Sequence, residues 1–132
     1  MRSSIPLTWR RIPERYCMIG SKCTTCSGHF FPTREVCPKC RRKGKLEKVQ
    51  FAGKGTIYSF TEIDSAPSGF EEQTPYVLAI VQLDEGARLT AQVVDVRASD
   101  IKIGDKVKAV FIMIQKDGDE CLIHYGFKFR KA

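Results

Sequence analysis

Four of the six cysteines occur in two pairs whose spacing is typical of metal binding. Cys23 and Cys26 are separated by two residues, Cys37 and Cys40 likewise, and ten residues lie between the pairs. A two-residue gap lets both thiolates of a tight turn face one ion, and four sulfurs complete a tetrahedral shell with no position for water. The pattern predicts one structural Zn²⁺ held by these four thiolates. An iron–sulfur or rubredoxin-like iron centre and a pair of redox dithiols are the alternatives.

The two unpaired cysteines and the two histidines are weaker candidates for metal ligands or catalytic groups. His29 could replace one thiolate at the metal, although the four cysteines already suffice. Cys17 and Cys121 have no recognisable base beside them and are predicted to be small buried hydrophobic residues. His124 lies between two apolar residues of a predicted strand, where a core or surface histidine is expected. Paired C-x-x-C spacing also favours a metal site in a reducing compartment over the disulfide scaffold of a secreted protein.

No sequence motif predicts direct catalysis. The chain lacks a serine nucleophile elbow, an H-E-x-x-H pair, a glycine-rich phosphate loop and an acidic metal cluster. Carboxylates that meet in space would be the one remaining route to a catalytic group. We therefore expect a protein that has no enzyme activity of its own.

The predicted metal site lies in the more basic of two unlike parts of the chain. Residues 1–50 contain twelve Lys and Arg against three Asp and Glu, a balance of +9, whereas residues 51–132 contain ten against twelve, a balance of −2. Few large apolar side chains occur near the cysteines, so this part cannot bury enough surface to hold itself together. Metal binding would supply the missing free energy of folding.

The elements that position the metal site begin with a predicted helix. Residues 8–17 have Thr8 as a possible N-cap and carry Trp9, Ile12 and Tyr16 along one face. Pro13 removes a backbone hydrogen bond and is expected to kink or shorten this helix. The two aromatic side chains would either pack on the rest of the protein or remain exposed for a partner.

The second part of the chain shows strand signals in series. Asp84-Glu85-Gly86 and Asp117-Gly118-Asp119 predict hairpin turns, while residues 64–75 are rich in turn-forming residues and predict a long loop. Five short antiparallel strands suit a small closed barrel of the OB type better than a sandwich of about seven strands. The predicted strands are residues 56–63, 76–83, 88–94, 106–115 and 121–129.

These signals divide the chain into three predicted segments of a mainly β fold. An N-terminal helical segment covers residues 1–17, a zinc ribbon covers 18–52, and a C-terminal five-stranded OB-fold barrel covers 53–132. No apolar run approaches the roughly 20 residues of a membrane-spanning helix, and the start lacks the apolar stretch of a signal peptide. We therefore expect a soluble, cytoplasmic protein without a membrane partner.

A basic run at residues 39–48 introduces a second interpretation, nucleic-acid binding. Tyr58, Phe60 and Phe111 would be the platforms for stacked bases, although these residues also suit a barrel core. OB folds grip single strands with the barrel face, and here the barrel part carries net negative charge. A basic ribbon fits an acidic protein surface or the phosphates of a nucleotide-bearing ligand equally well. Binding of single-stranded nucleic acid is therefore the alternative function.

Six segments follow in order along nearly the whole chain: residues 9–16 (WRRIPERY), 20–26 (GSKCxxC), 31–40 (FPxRxxCPxC), 55–61 (GxIYSFT), 75–77 (PYV) and 83–89 (LDEGARL). Together they resemble the zinc-ribbon and OB-fold proteins of domain-of-unknown-function family 35. Within that family, the Trp-Arg-Arg and Tyr-x-x-Ile-Gly-Ser-Lys-Cys stretches are most similar to the archaeal branch.

The resemblance implies an N-terminal helix, a rubredoxin-like zinc ribbon, an OB barrel and a role beside thiolase-fold enzymes that act on acyl-CoA. The archaeal branch is associated with acetoacetyl-CoA thiolase and HMG-CoA synthase at the head of the mevalonate pathway. By this resemblance, the chain is expected to be a non-catalytic scaffold that bridges these two enzymes and helps bind the CoA thioester. Phe70 and Tyr76, which flank the end of the long loop, are the candidates for contact with CoA. Anchoring of the loop against the barrel is their alternative role.

Overall fold

A computed structural model describes residues 4–116 and 122–132. The described chain begins with two short helices and continues with eight strands in two sheets. The helices are α1 (Ile5–Arg10) and α2 (Ile12–Cys17). The strands are β1 (Ile19–Cys23), β2 (His29–Phe30), β3 (Leu46–Gln50), β4 (Lys54–Ile63), β5 (Tyr76–Leu83), β6 (Arg88–Val94), β7 (Lys106–Lys116) and β8 (Ile123–Lys131).

The predicted N-terminal helix is instead two helices joined at Arg11. Ser4 caps α1 by accepting a hydrogen bond from the backbone N–H of Leu7 (3.4 Å), and the chain turns at Arg11, with φ −95° and ψ 1°. Pro6 and Pro13 each lie in the first turn of a helix, where no intrahelical partner is needed for the backbone nitrogen. In place of one kinked or shortened helix over residues 8–17, the chain thus forms two helices of six residues each. Neither described helix is long and apolar enough to cross a membrane.

The first sheet is antiparallel, with strand order β2-β1-β3. Gly20 in the central strand has no room for a side chain, because a Cβ there would lie 2.2 Å from the Phe51 ring and 2.5 Å from the Phe30 carbonyl oxygen. The buried hydroxyl of Ser21 accepts a hydrogen bond from Arg34 N (2.9 Å) and donates one to Arg34 O (3.2 Å). These contacts hold the chain between the two cysteine pairs against the central strand.

The second sheet closes into a barrel with strand order β4-β5-β6-β8-β7, and β7 pairs in turn with β4. Neighbouring strands are antiparallel except for β6 and β8, which run parallel and pair at Val93 with Phe129 and at Val94 with Arg130. The predicted mainly β fold with a five-stranded OB-type barrel is confirmed.

Strand limits agree closely with the prediction. β5 and β6 span the predicted residues, β4 begins two residues earlier than predicted, and β7 ends one residue later. The last strand was predicted over residues 121–129 and is observed as Ile123–Lys131. Cys121 and the predicted turn at residues 117–119 lie outside the described residues.

The barrel core extends into the first part of the chain. Phe129 is fully buried at its centre, and Phe51 and Met18 belong to the same cluster with 4% and 5% of their surface exposed. Phe31 packs edge-on against Phe51 and Phe127, with ring centroids 6.0 Å and 5.5 Å apart. Side chains of the predicted second segment thus pack within the core of the third. The limits of the three predicted segments stay a prediction.

Candidate metal centre and the surfaces beside it

The four paired cysteines lie together beside the end of β1. The sulfur atoms of Cys23, Cys26, Cys37 and Cys40 all lie within 4.8 Å of one another, and the Sγ atoms of Cys26 and Cys37 are 3.6 Å apart. Four sulfurs at about 2.3 Å from one zinc ion would be separated by roughly 3.8 Å. Cys23 and Cys37 are fully buried and the other two are half-buried. The group is therefore positioned to bind one tetrahedral metal ion in a closed site.

Two tight turns and a close glycine shape this thiol group. Ser27 and Arg41, each directly after the second cysteine of a pair, adopt left-handed backbone conformations with φ 56° and 51°. At Gly44, an added Cβ would lie 2.8 Å from Cys37 Cβ and 2.9 Å from Cys40 Cβ. Real Cβ atoms essentially never approach other atoms that closely, so a glycine is required where the chain passes the second pair.

Two of the four thiols have strongly shifted pKa values. A hydrogen bond from the backbone N–H of Cys26 lowers the pKa of Cys23 to about 6, against the opposing effect of burial. Burial raises the pKa of Cys40 to about 12, and interactions with the neighbouring thiols act in the same direction. Without a cation, Cys40 therefore resists becoming a thiolate beside the neighbouring sulfurs. A divalent ion supplies the positive charge that allows all four to ionise.

The remaining predicted ligands and thiols lie elsewhere. His29 is half-buried in β2 with its ring 6.2 Å from that of Phe51, and the metal-binding group found among the described residues consists of cysteines alone. Cys17 is exposed, so its prediction as a buried hydrophobic residue is wrong. The reason is the chain direction at the end of α2, where Met18 adopts φ 51° and enters the core in place of Cys17.

The two candidate CoA contacts, Phe70 and Tyr76, lie side by side. Their ring centroids are 6.3 Å apart with 40° between the planes, and both side chains are half-buried. Between them, Gln73 fastens the loop to the barrel: its Nε2 donates to Ile114 O (2.9 Å), and its Oε1 accepts from Lys128 Nζ (2.8 Å). The structure thus shows an anchored loop, and contact with CoA stays a prediction.

The three aromatic residues considered for base stacking all have partners within the chain. Arg88 lies over the ring of Tyr58, with 3.9 Å between the guanidinium carbon and the ring centroid. Phe60 packs against the barrel core. Phe111 contacts Tyr16 edge-on at 4.9 Å and stacks on Tyr125 at 5.7 Å. These contacts do not favour the nucleic-acid interpretation.

Exposed apolar side chains lie where the helices meet the barrel, and the sequence did not predict this grouping. The ring contacts of Phe111 join α2 to β7 and β8, and a small cavity of about 190 Å³ lies between α1, α2 and the start of β8. Trp9, at 75%, is its most exposed large side chain. We call this the helix–barrel apolar surface. It comprises Ile5, Trp9, Tyr16, Phe111, Met113, Leu122, Ile123 and Tyr125, each at least 40% exposed.

One signal in the sequence could have found part of this surface. Residues 110–114 are five consecutive apolar residues in a predicted strand, so apolar side chains alternate onto both faces. Only one face of a strand can line the core of a small barrel. Some of these apolar side chains must therefore lie outside the core. Phe111 and Met113 share a face with the core residue Val107, and they are exposed where β7 continues past its pairs with β4.

Comparison with known proteins agrees with both sheets. A family model described as the ChsH2 rubredoxin-like zinc ribbon domain matches residues 9–47, and one described as the ChsH2 C-terminal OB-fold domain matches residues 48–111. A relative from Methanocaldococcus jannaschii, named DUF35 domain-containing scaffold protein, is 50% identical over 123 residues. That match covers 93% of this chain and 87% of the relative. The chain belongs to the DUF35 family.

Two further matches carry the names of a CoA-thiolase subunit and of an aldolase that contains a DUF35 chain. The benzoylsuccinyl-CoA thiolase subunit BbsA from Geobacter metallireducens is 30% identical over 110 residues, which cover 83% of this chain and 72% of BbsA. A chain of the solved structure described as "Ltp2-ChsH2(DUF35) aldolase" superposes with a TM-score of 0.68 at 26% identity. That superposition covers 99% of this chain and 96% of the other. Relatives of this DUF35 protein are thus named as scaffolds and as enzyme subunits.

Proposed function

We propose that this DUF35 protein is a non-catalytic scaffold subunit that bridges acetoacetyl-CoA thiolase and HMG-CoA synthase and helps bind the acyl-CoA intermediate between them. The helix–barrel apolar surface is the observation that carries the proposal. The names of relatives support a subunit role of this kind, since they include scaffold proteins and a thiolase subunit. The choice of these two enzymes follows the resemblance to the archaeal branch.

The helix–barrel apolar surface has the composition of a protein interface. Monomeric proteins rarely expose a contiguous apolar area larger than a few hundred Å². Four of its eight residues are aromatic, namely Trp9, Tyr16, Phe111 and Tyr125, and aromatic side chains are enriched at the centres of interfaces. Two of them stack on each other and a third packs edge-on against that pair, so this part of the surface is already ordered before a partner binds.

Exposed arginines border the same helices. Arg10 and Arg11 are exposed and flank the break between α1 and α2, beside the exposed indole of Trp9. An apolar centre with a charged rim is the usual arrangement of an interface, in which the rim charges guide orientation more than affinity. A partner surface with an apolar pocket and acidic residues around it would complement this face.

The four-thiol group would have a structural role in this scaffold. A closed shell of four thiolates leaves zinc no open position for substrate or water, so the ion would contribute folding free energy instead of reactivity. Cys23, Cys26, Cys37 and Cys40 would be its ligands. The ion would hold the first sheet, and with it the short helices, against the barrel that carries the rest of the apolar surface.

Binding of the CoA thioester would use the basic first part of the chain and the anchored loop. Lys39, Arg41, Arg42 and Lys43 are exposed around the second cysteine pair and could contact phosphates. Phe70 and Tyr76 are the proposed contacts for the pantetheine arm. Formation of acetoacetyl-CoA is thermodynamically uphill, so flux depends on its onward reaction. A bridge would raise its effective concentration at the second enzyme without new chemistry.

The test is reconstitution of this protein with the two enzymes of its host. We expect a three-component complex by light scattering, and loss of the complex and slower coupled turnover of acetyl-CoA when this protein is omitted.

Trp9→Ala should weaken assembly about tenfold or more, as expected for an aromatic residue at an interface centre. Ile103→Ala is the matched control, because Ile103 is 70% exposed but lies outside the helix–barrel apolar surface. Unchanged complex mass and unchanged flux on omission would contradict the scaffold, and co-purified RNA would favour the alternative function.

A further inference from the structure

The barrel wall opens between β6 and β8. In the part of the chain that the structure describes, these strands pair only at Val93 with Phe129 and at Val94 with Arg130. Ahead of these pairs the two strands separate, and a cavity of about 530 Å³ lies between them. We call it the β6–β8 cleft. Its volume is within the range of small-molecule binding sites, which is roughly 300–1,000 Å³.

A buried amine lines the β6–β8 cleft. Lys128 is only 6% exposed, and its Nζ donates to Gln73 Oε1 at 2.8 Å. An ammonium group has three donors, and in residues 4–116 and 122–132 this amide oxygen is the one acceptor that it reaches. The amide is held in turn, because Gln73 Nε2 donates to Ile114 O at 2.9 Å. Lys128 therefore has a fixed position and unused hydrogen-bonding capacity.

The charge around this amine is one-sided. Arg15 also lines the cleft, and among the described residues no carboxylate does. Burial lowers the pKa of Lys128, and none of the described residues that line the cleft offers a carboxylate to oppose that effect. A buried amine without an acidic partner is costly, so a structure that keeps one at a cavity is suited to an anion supplied from outside.

The other walls of the cleft are mostly apolar. Leu78, Ala91, Ile114 and Phe127 contribute them from four different strands. The pairs that join β6 to β8 at Val93 and Val94 close the cleft at one end. A closed wedge suits a short ligand better than an added β-strand, which would have to continue along the free edge of β6 or β8.

We propose that the β6–β8 cleft binds a small organic anion with a short apolar chain, whose anionic group pairs with Lys128. This site concerns the isolated chain and does not depend on the proposed scaffold function. The apolar chain of the ligand would lie against the four apolar residues, and its anionic group would accept the hydrogen bonds that Lys128 does not use within the protein. The apolar contacts and the hydrogen bonds from Lys128 together define which ligands can bind. A simple inorganic anion has no apolar part to contact the apolar side chains of the cleft.

Titration of the zinc-loaded, ¹⁵N- and methyl-labelled protein with hexanoate tests this site. Hexanoate combines a carboxylate with a short apolar chain, and hexanamide is its neutral counterpart. We expect hexanoate to bind with a Kd of about 1 mM or below, as is reasonable for so small a ligand, and to shift the Gly126 amide and the Ile114 methyl resonances. Hexanamide and inorganic phosphate should each bind at least about tenfold more weakly, because each lacks one of the two interactions.

Three variants separate the site from general effects. Lys128→Met keeps the apolar stem and should weaken hexanoate binding about tenfold or more while leaving hexanamide unchanged. Lys108→Met removes an exposed lysine of β7 that does not line the cleft, and should change neither. Ala91→Leu adds volume on the buried face of β6 and should abolish binding of both, with its amide spectrum recorded to show that the variant remains folded despite the enlarged core residue. No shift at Gly126, equal binding of hexanoate and hexanamide, or full hexanoate affinity in Lys128→Met would overturn the proposal.

Discussion

The two sheets of this protein are stabilised in different ways. In the barrel, alternate residues of β5 and β6 are buried, and their side chains fill a hydrophobic core. In the first sheet, β2 and β3 have no buried residue, and the fully buried side chains nearby are those of Cys23 and Cys37. The barrel thus has a core of its own. The first sheet has a thiol group in place of a core, together with the few side chains that it places in the core of the barrel.

The largest effect expected from this difference is that of losing the metal. Cys37→Ser removes one of the two fully buried thiols, and we expect it to unfold the first sheet while most of the strand signal of the barrel remains. Structural zinc sites contribute about 10–16 kcal/mol of apparent binding free energy, more than the whole stability of a small domain. Metal analysis of the wild type should give one zinc per chain, and circular dichroism should report the loss of structure in the variant.

The matched control for this prediction is Cys17→Ser. Cys17 is exposed at the end of α2, so its substitution should change stability by less than about 0.5 kcal/mol. A fully folded protein without metal would contradict the four-thiolate site. So would an X-ray absorption spectrum that shows nitrogen among the ligands.

A smaller effect should test the contact between the two sheets. Phe51 follows β3, is 4% exposed and packs against Phe31, so its ring connects the first sheet to the barrel core. Phe51→Ala should lower the free energy of unfolding by about 3–5 kcal/mol and should separate the unfolding of the two sheets in denaturant titrations. Phe111→Ala is the aromatic control, since Phe111 is 57% exposed. If both variants lower the free energy of unfolding equally, the buried contact of Phe51 does not couple the stability of the first sheet to that of the barrel.

The parts of the fold that could be predicted from the sequence have strong local signals. β5 and β6 have the predicted limits because the hairpin between them carries its own turn chemistry: Gly86 adopts φ 99° and donates to Leu83 O (2.8 Å). The cysteine spacing is equally local. It correctly indicated which four thiols the fold brings together, because two residues between cysteines make one turn.

The parts that could not be predicted depend on tertiary contacts. Pro13 was expected to kink or shorten one helix, and whether a proline does so or begins a second helix depends on where the preceding chain turns. Cys17 was predicted to be buried from its residue type, whereas its exposure follows from the left-handed turn at Met18. The β6–β8 cleft depends on how far two distant strands stay paired. No local pattern encodes that distance.

The smallest predicted effect concerns stability at acid pH. It should change the stability of the barrel and leave that of the first sheet unchanged. Asp105 closes the turn before β7: its Oδ2 accepts from Lys102 N (3.0 Å) and lies 2.9 Å from Lys131 Nζ at the end of β8. The hydrogen bond from Lys131, and then that from Lys102, lower the pKa of Asp105. A carboxyl with a lowered folded-state pKa contributes stability that is present above its unfolded value of about 3.9 and is lost as pH falls through the folded value.

Asp105→Asn should therefore be slightly less stable than the wild type near pH 6, and the difference should shrink below about pH 4 as the wild-type carboxyl is protonated. The effect should be small because the Lys131 side chain is 42% exposed and solvent screens the pair. Melting temperatures measured between pH 7 and pH 2.5 check it, with Asp64→Asn in the exposed long loop as the control. A difference that stays constant over this range would contradict the ionic contribution. Because the pair joins β8 to the turn before β7 and contacts neither cysteine pair, hydrogen exchange should show its loss in the barrel and leave the first sheet unchanged.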